Sequence, residues 1–264
     1  MGRTPREKSE FGLYHVRLRG NDRQILFDSD AERLDFLRLM RERLVSQGVT
    51  VLAWCLMSNH VHIVALDEGD LLSSCFHDLA SIYAREHNTR TGHLGHVFQT
   101  PFRSSPINDE SYLLEAVRYV HNNPAHEGIC TASEWPWSSY QEYVGRSDHG
   151  IASTGLVLDL LGGVRQFEEF TAHFDDESLL TSPSTRMSDD GALGLARRVL
   201  PGCDPRGLKG SDPSERDRAL RALSAAGLSN RQIERVCGIG RKTVARAVRN
   251  AAPLVPGTNG ATRC

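Results

Sequence analysis

The sequence predicts an α+β fold, an antiparallel sheet with helices on one face, followed by a small all-α unit. Three observations carry this. Periodic segments follow in the order strand, helix, strand, strand, helix, strand, helix between residues 11 and 122. The apolar run from Val49 to Leu66 is divided by the Met57-Ser58-Asn59 turn, which reads as a hairpin. Charge is then redistributed along the chain. The net charge is only −2, yet residues 148–196 hold nine acidic against two basic side chains, and residues 197–249 hold thirteen basic against five acidic.

The elements follow in order. Phe11 to Arg19 alternates as a strand, with Tyr14, Val16 and Leu18 on one side and His15, Arg17 and Arg19 on the other. Gly20-Asn21-Asp22 ends it. Asp28 to Gln47 reads as a helix capped by Asp28, Ser29 or Asp30, with Leu34, Leu37, Leu44 and Val45 among its apolar positions and Gly48 after its end. Val49–Leu56 and His60–Leu66 are the hairpin strands, and Leu71 to His87 is a second helix. A further strand is expected within Phe98–Ile107, interrupted by Pro101 and Pro106. Asn108 or Asp109 caps a helix that runs to about Asn122 and stops before Pro124. Trp135-Pro136-Trp137-Ser138-Ser139-Tyr140 closes the region as packing under a loop.

The expected organisation is a first domain over residues 10–145, an acidic, partly helical connector over 146–211, a helical unit over 212–250, and a disordered tail over 251–264. Within the connector, Thr181-Ser182-Pro183-Ser184-Thr185 reads as a flexible linker. Composition removes some function classes. No apolar stretch is long enough to span a membrane. The N-terminal Met-Gly-Arg-Thr-Pro-Arg has no apolar segment after it, so no secretory leader is expected. The six cysteines form no C-x-x-C pair and no zinc-knuckle spacing, and read as reduced thiols of a cytoplasmic protein.

The residues that carry chemistry begin at His60 and His62. One residue apart on a strand, they project from the same face, with Val61 and Ile63 on the other. Two imidazoles on a rigid strand make half of a divalent-metal site. On the later helix, Leu113, Leu114, Val117, Val120 and His121 form the core stripe. Tyr119 and Asn123 lie on a separate stripe with Tyr112 and Ala116, roughly 130° away at about 100° per residue. Packed beside the sheet, that helix could bring Tyr119 to a metal on His60 and His62, with the Asn123 amide oxygen completing the coordination. Oxygen and imidazole ligands of this kind suit Mg²⁺ or Mn²⁺.

These motifs resemble a known family. Trp54-x-x-Met57-x-Asn59-His60-x-His62 followed by Tyr119-x-x-x-Asn123-Pro124 resembles the single-tyrosine HUH transposases, and most closely the REP-associated tyrosine transposases. Tyr14-His15-Val16, Arg19-Gly20-Asn21, Phe98-Gln99 with Phe102, and Pro136-Trp137-Ser138-Ser139-Tyr140 match in the flanks, so the resemblance covers roughly residues 10 to 145. It implies a ferredoxin-like (RRM-like) fold, a divalent metal, and cleavage of single-stranded or hairpin DNA through a covalent 5'-phosphotyrosine on Tyr119 with a free 3'-OH. A phosphotyrosine conserves the phosphodiester's free energy, which suits a chain without a Walker sequence. One departure stands out. Where the family continues with Val, Arg, Ala and Gly after Asn123-Pro124, this chain has Ala125-His126-Glu127-Gly128, replacing a fixed positive charge by a titratable one beside an acid.

Basic residues complete the expected DNA contacts. His15, Arg17, Arg19 and Arg103 are assigned to substrate handling; for His15 the alternative is a histidine bonded within the sheet. In the C-terminal unit, Ser229-Asn230-Arg231-Gln232 is a capping box, Cys237-Gly238-Ile239-Gly240 a turn, and Arg241–Asn250 a basic helix. Two short helices around such a turn read as a helix-turn-helix that binds duplex DNA, presenting Arg241, Lys242, Thr243, Arg246 and Arg249. The other readings are a protein-contact hairpin for this unit, and for the whole chain a non-cleaving DNA- or RNA-binding regulator that keeps the fold. Monomer and dimer are both left open.

Overall fold

The computed structural model describes residues 7–99, 102–173 and 189–249. They divide into two compact units between Asp190 and Gly191. The first is built on β1 (Leu13–Arg19), α1 (Asp30–Arg43), β2 (Thr50–Leu56), β3 (His60–Leu66), α2 (Leu72–Thr91) and β4 (Arg103–Ile107). The strands form one sheet in the order β2-β3-β1-β4, and every neighbouring pair is antiparallel. This is the ferredoxin-like βαββαβ arrangement expected from the sequence.

Local chemistry explains the boundaries. Ser29 opens α1 with a full capping box, its hydroxyl accepting from the Glu32 N–H and the Glu32 carboxylate accepting from the Ser29 N–H. A 3-10 turn, Val45–Gln47, follows α1, and Gly48 then takes φ 98°, a conformation open to glycine but strained for other residues. Leu34, expected among the apolar positions, is 52% exposed, because α1 begins at Asp30 and turns that position outward. The second helix runs a full turn beyond the expected His87, to Thr91, where left-handed Gly92 ends it. Pro106 is tolerated inside β4 because β4 is an edge strand.

The sheet is packed on both faces. On one, Val16, Leu18, Trp54, Leu56 and Ile63 meet Phe36 and Met40 of α1 and Phe76 and Leu79 of α2. These two helices fulfil the expectation of helices on one face. On the other face, Leu52, Cys55 and Val64 meet Leu113, Val117 and Val120 of α3 (Glu110–His121). Double-sided burial is why β2 and β3 read as a nearly continuous apolar run rather than an alternating one.

Two short turns follow, α4 (Asn123–His126) and α5 (Tyr140–Tyr143). The Trp-Pro-Trp segment does more than pack. The Leu56 N–H donates to Trp137 O at 2.9 Å and the Ser139 N–H to Trp54 O at 2.9 Å, closing part of the β2 edge. In the acidic segment, α6 (Gly155–Leu161) and α7 (Val164–Ala172) place Val157 and Phe167 in the core on the α3 side.

The second unit contains most of α8 (Asp189–Val199), then α9 (Pro213–Ala225), α10 (Asn230–Cys237) and α11 (Arg241–Arg249). Asp212 caps α9 with Pro213 in its first turn. The Ser229–Gln232 capping box opens α10, and Gly238 ends it at φ 64°. Leu220, Leu223, Ile233, Val236, Val244 and Ala247 are buried, whereas Val248 is only partly covered. Among the described residues no helix is long and apolar enough to cross a membrane. The 181–185 stretch and the 251–264 tail lie outside the described residues.

Candidate active site

The site is assembled on the sheet face that carries α3. Across β1 and β3, Arg17 lies opposite His62 and Arg19 opposite His60. Across β1 and β4, Arg103 lies opposite Arg17. Directly opposed residues share a face, so both histidines and the three arginines stand on one surface. His15, two residues before Arg17, stands on it as well.

The side chains converge. His60 Nε2 is 3.0 Å from Asn123 Oδ1, and His60 Nδ1 is 2.7 Å from Asn59 Oδ1. His62 Nδ1 is 2.8 Å from His15 Nε2. The Tyr119 ring stands edge-on to His62, with centroids 5.4 Å apart, and to His15 at 5.8 Å. The Asn123 side chain is also near enough to the Tyr119 phenol to lower its pKa. The α3 helix sets this geometry: Asp109 caps it by accepting from the Tyr112 N–H at 2.7 Å, and its core stripe seats it on β2 and β3. His60, His62 and Asn123 are all buried, and Tyr119 partly so. Tyr112, on the same stripe as Tyr119, is 43% exposed.

Burial sets the electrostatics. It pushes His15 and His60 down to about 4 and His62 well below its ordinary value. All three rings are therefore neutral near pH 7 and keep lone pairs for a ligand. A neutral imidazole has one N–H, yet His60 faces amide oxygens on both sides. The Asn59 contact can take the proton at Nδ1. Nε2 and Asn123 Oδ1 then present lone pairs to each other at 3.0 Å, an arrangement that a cation beside both would relieve. The donor set fits a hard divalent ion. Among the described residues no three His, Cys, Asp or Glu side chains form a metal-holding group; the candidate set reaches three only with the Asn123 amide.

Positive charge surrounds this centre. Arg19 Nε is buried without a hydrogen-bond partner among the described residues. Burial, then neighbouring Arg23 and Arg17, lower its pKa. Clustered guanidinium groups favour an anion, with Asp189 and Glu127 offsetting part of the Arg19 charge. Arg103 is exposed at the edge. Burial raises the Tyr119 phenol above its ordinary value of 10, against the Asn123 hydrogen bond and Arg17, which pull it down. The His126 ring, at the position where the sequence departs from the family pattern, lies 5.1 Å from the Tyr119 ring.

Arg241, Lys242, Thr243, Arg246 and Arg249 line one shallow surface of α11 in the second unit. The α11 start is fixed by its Arg241 N–H donating to Glu234 Oε1 at 3.0 Å.

Sequence reasoning gave Asn59 no separate role, although its place directly before the histidine pair was the available signal. It also left His121 as a core residue. In the structure His121 Nε2 meets Ser139 Oγ at 2.7 Å, and that hydroxyl accepts from the Trp54 N–H at 2.9 Å. No spacing in the sequence connects those three positions.

Residues 11–123 match the family model described as "Transposase IS200 like". The match spans His15, His60, His62, Tyr119 and Asn123 and none of the second unit. A solved structure of a REP-associated tyrosine transposase bound to a REP hairpin is similar at 22% identity, covering 57% of this chain and 88% of that one, with a TM-score of 0.44. A candidate transposase from Deinococcus radiodurans R1 is similar at 20% identity, covering 46% of this chain and 95% of that one, with a TM-score of 0.31. No curated protein matches.

Proposed function

We propose, from the match of residues 11–123 to the IS200-like transposase model, that the chain nicks and transfers single-stranded DNA through a covalent bond to Tyr119. The observation that carries this reading is Tyr119 edge-on to His62 at 5.4 Å between centroids, with Asn123 Oδ1 3.0 Å from His60 Nε2. One neutral-histidine pair, one amide and one phenol are thereby gathered around a single spot.

His60, His62 and Asn123 would hold Mg²⁺ or Mn²⁺, which when bound polarises a non-bridging oxygen of the scissile phosphate. The protein's own groups do the rest. Arg17 and Arg19 bear the charge of the phosphate. Asn123 holds the Tyr119 phenol in place. On losing its proton, the phenolic oxygen attacks phosphorus; the P–O bond to the 3'-oxygen breaks, and that oxygen leaves as a 3'-OH after taking up a proton. The 5'-phosphate remains on Tyr119, and attack by another 3'-OH reverses the step onto a new end. Arg103 and the exposed Tyr112 edge extend the surface available to a single strand.

The second unit supports a division of labour. Its α10–turn–α11 arrangement and the basic face of α11 suit duplex binding by Arg241, Lys242, Thr243 and Arg246. That unit would hold a hairpin stem or flanking duplex while residues 10–145 act on the single strand.

The deciding experiment incubates the protein with Mn²⁺ and labelled hairpin DNA from its own genomic flanks. A covalent adduct that resists denaturation, requires the metal, and maps to Tyr119 by peptide mass is expected. DNA binding without any adduct would favour the non-cleaving regulator.

A further inference from the structure

We propose that His15 is a positioning residue of the metal site, accepting a hydrogen bond from His62 Nδ1 and so presenting His62 Nε2 to the ion. The inference rests on the reading of His60 and His62 as ligands, and it moves His15 away from direct handling of DNA.

The geometry is specific. His15 faces Val64 across β1 and β3, one diagonal from His62. From there its ring comes within 30° of the His62 plane, with centroids 5.0 Å apart and the two nitrogens at 2.8 Å. This is hydrogen-bond geometry between rings, not a packing contact. The direction of the bond follows from proton bookkeeping. If His15 donated, His62 would accept at Nδ1 and carry its own proton on Nε2, with no lone pair left for a metal. If His62 donates from Nδ1, its Nε2 is free to ligate and His15 keeps its proton on Nδ1. Only the second arrangement is compatible with a metal on His62.

Asn59 does the same for His60. Its Oδ1 lies 2.7 Å from His60 Nδ1 and leaves His60 Nε2 toward Asn123. Both imidazoles are thus pinned through Nδ1, one by a neighbour in sequence and the other by a neighbour across the sheet. The His15 and Tyr119 rings also meet in a T-shaped arrangement, with centroids 5.8 Å apart. Losing such an outer partner commonly weakens metal binding by about 10–100-fold.

The test reads metal affinity and tautomer rather than cleavage. Free Mn²⁺ is titrated by electron paramagnetic resonance against full-length wild type, His62→Ala, His15→Phe and His15→Gln, with thermal melts to confirm folding. Phe keeps a ring but cannot accept a hydrogen bond, whereas Gln can. His15→Phe should bind Mn²⁺ about 10–100-fold more weakly, and His15→Gln should recover most of that loss. A Phe variant as tight as wild type, or a Gln variant as weak as the Phe one, would make His15 a packing residue and overturn the proposal. Wild-type binding that ignores His62→Ala would instead overturn the ligand reading beneath it. Nitrogen-15 spectra of the metal-free wild type give a check that needs no variant. The expected signal is His62 protonated at Nδ1; protonation at Nε2 would sink the idea.

Discussion

Tyr119 sits where a phenol is hard to ionise, since burial lifts its pKa and only the Asn123 hydrogen bond and Arg17 pull it back. As the proposed nucleophile, it would therefore depend on neighbouring positive charge. Tyr119→Phe deletes the proposed reacting oxygen and almost no contact area. It should abolish the adduct and leave single-strand affinity within about fivefold, the worth of one hydrogen bond. An adduct surviving in that variant would pass the role to Tyr112. His121 provides a different test. It is fully buried and burial pushes it down from 6.5 to about 3. Because the unfolded state binds the proton more readily, this stability is fully present above pH 6.5 and is lost as pH falls toward 3. At pH 5 one such group costs at most about 2 kcal/mol. Urea midpoints at pH 7.5 and 5.0 should fall less for His121→Gln, which can still meet Ser139, than for wild type; His15 and His60 add slope of the same sign. An unchanged slope would mean that His121 takes up protons in the fold. At this scale His60, His62, Tyr119 and Asn123 were legible, because strand alternation and an i, i+4 spacing bring each pair together. The place of His15 was not, since it depends on which residue of β3 lies across from β1, and no local pattern sets that register.

The α3 helix links the chemistry to the fold. It carries Tyr119 on one stripe and Leu113, Val117 and Val120 on another, so its packing fixes the phenol's reach. Removing its cap by Asp109→Ala should cost about 1 kcal/mol of stability, read from chemical denaturation. Adduct formation should slow as well, because fraying begins nearly three turns before Tyr119 on the same helix. Tyr119 also meets His62 of its own chain. Mixing Tyr119→Phe with His62→Ala protein should therefore restore no adduct; a restored signal would show the tyrosine passing between chains. Among the elements, α1, β1 and the β2–β3 hairpin were readable because a capping box, an alternation and a turn are local. The position of α6 and α7 was hidden. Their surroundings are acidic, and their apolar contacts with the core, Val157, Leu158, Leu161 and Phe167, fall in two short helices broken by Gly162-Gly163. The β2 edge was hidden for a related reason: Trp137 to Ser139 pair with a strand eighty residues earlier, and a Trp-Pro-Trp sequence carries no strand alternation.

At the scale of the molecule, charge is sorted by region. Residues 197–249 carry thirteen basic against five acidic side chains although the chain as a whole is at −2. The basic surface of α11 presents Arg241, Lys242 and Arg246 without burying them, so they can be changed with little effect on the core formed by Val244 and Ala247. If this unit grips duplex DNA through phosphates, each lost cation should lower the salt dependence of binding by about 0.9 in the log–log slope. Replacing all three by Ala should then reduce the slope for a hairpin or flanked duplex by up to about 2.7 and weaken binding most at low salt. Cleavage of a short single strand without a stem should be unaffected at saturating protein, because none of the three belongs to the residue set around Tyr119. A triple variant that binds hairpins like wild type at every salt concentration would remove duplex contact from this unit. One that binds normally but fails to cleave the short strand would show that the second unit contributes to the reaction itself.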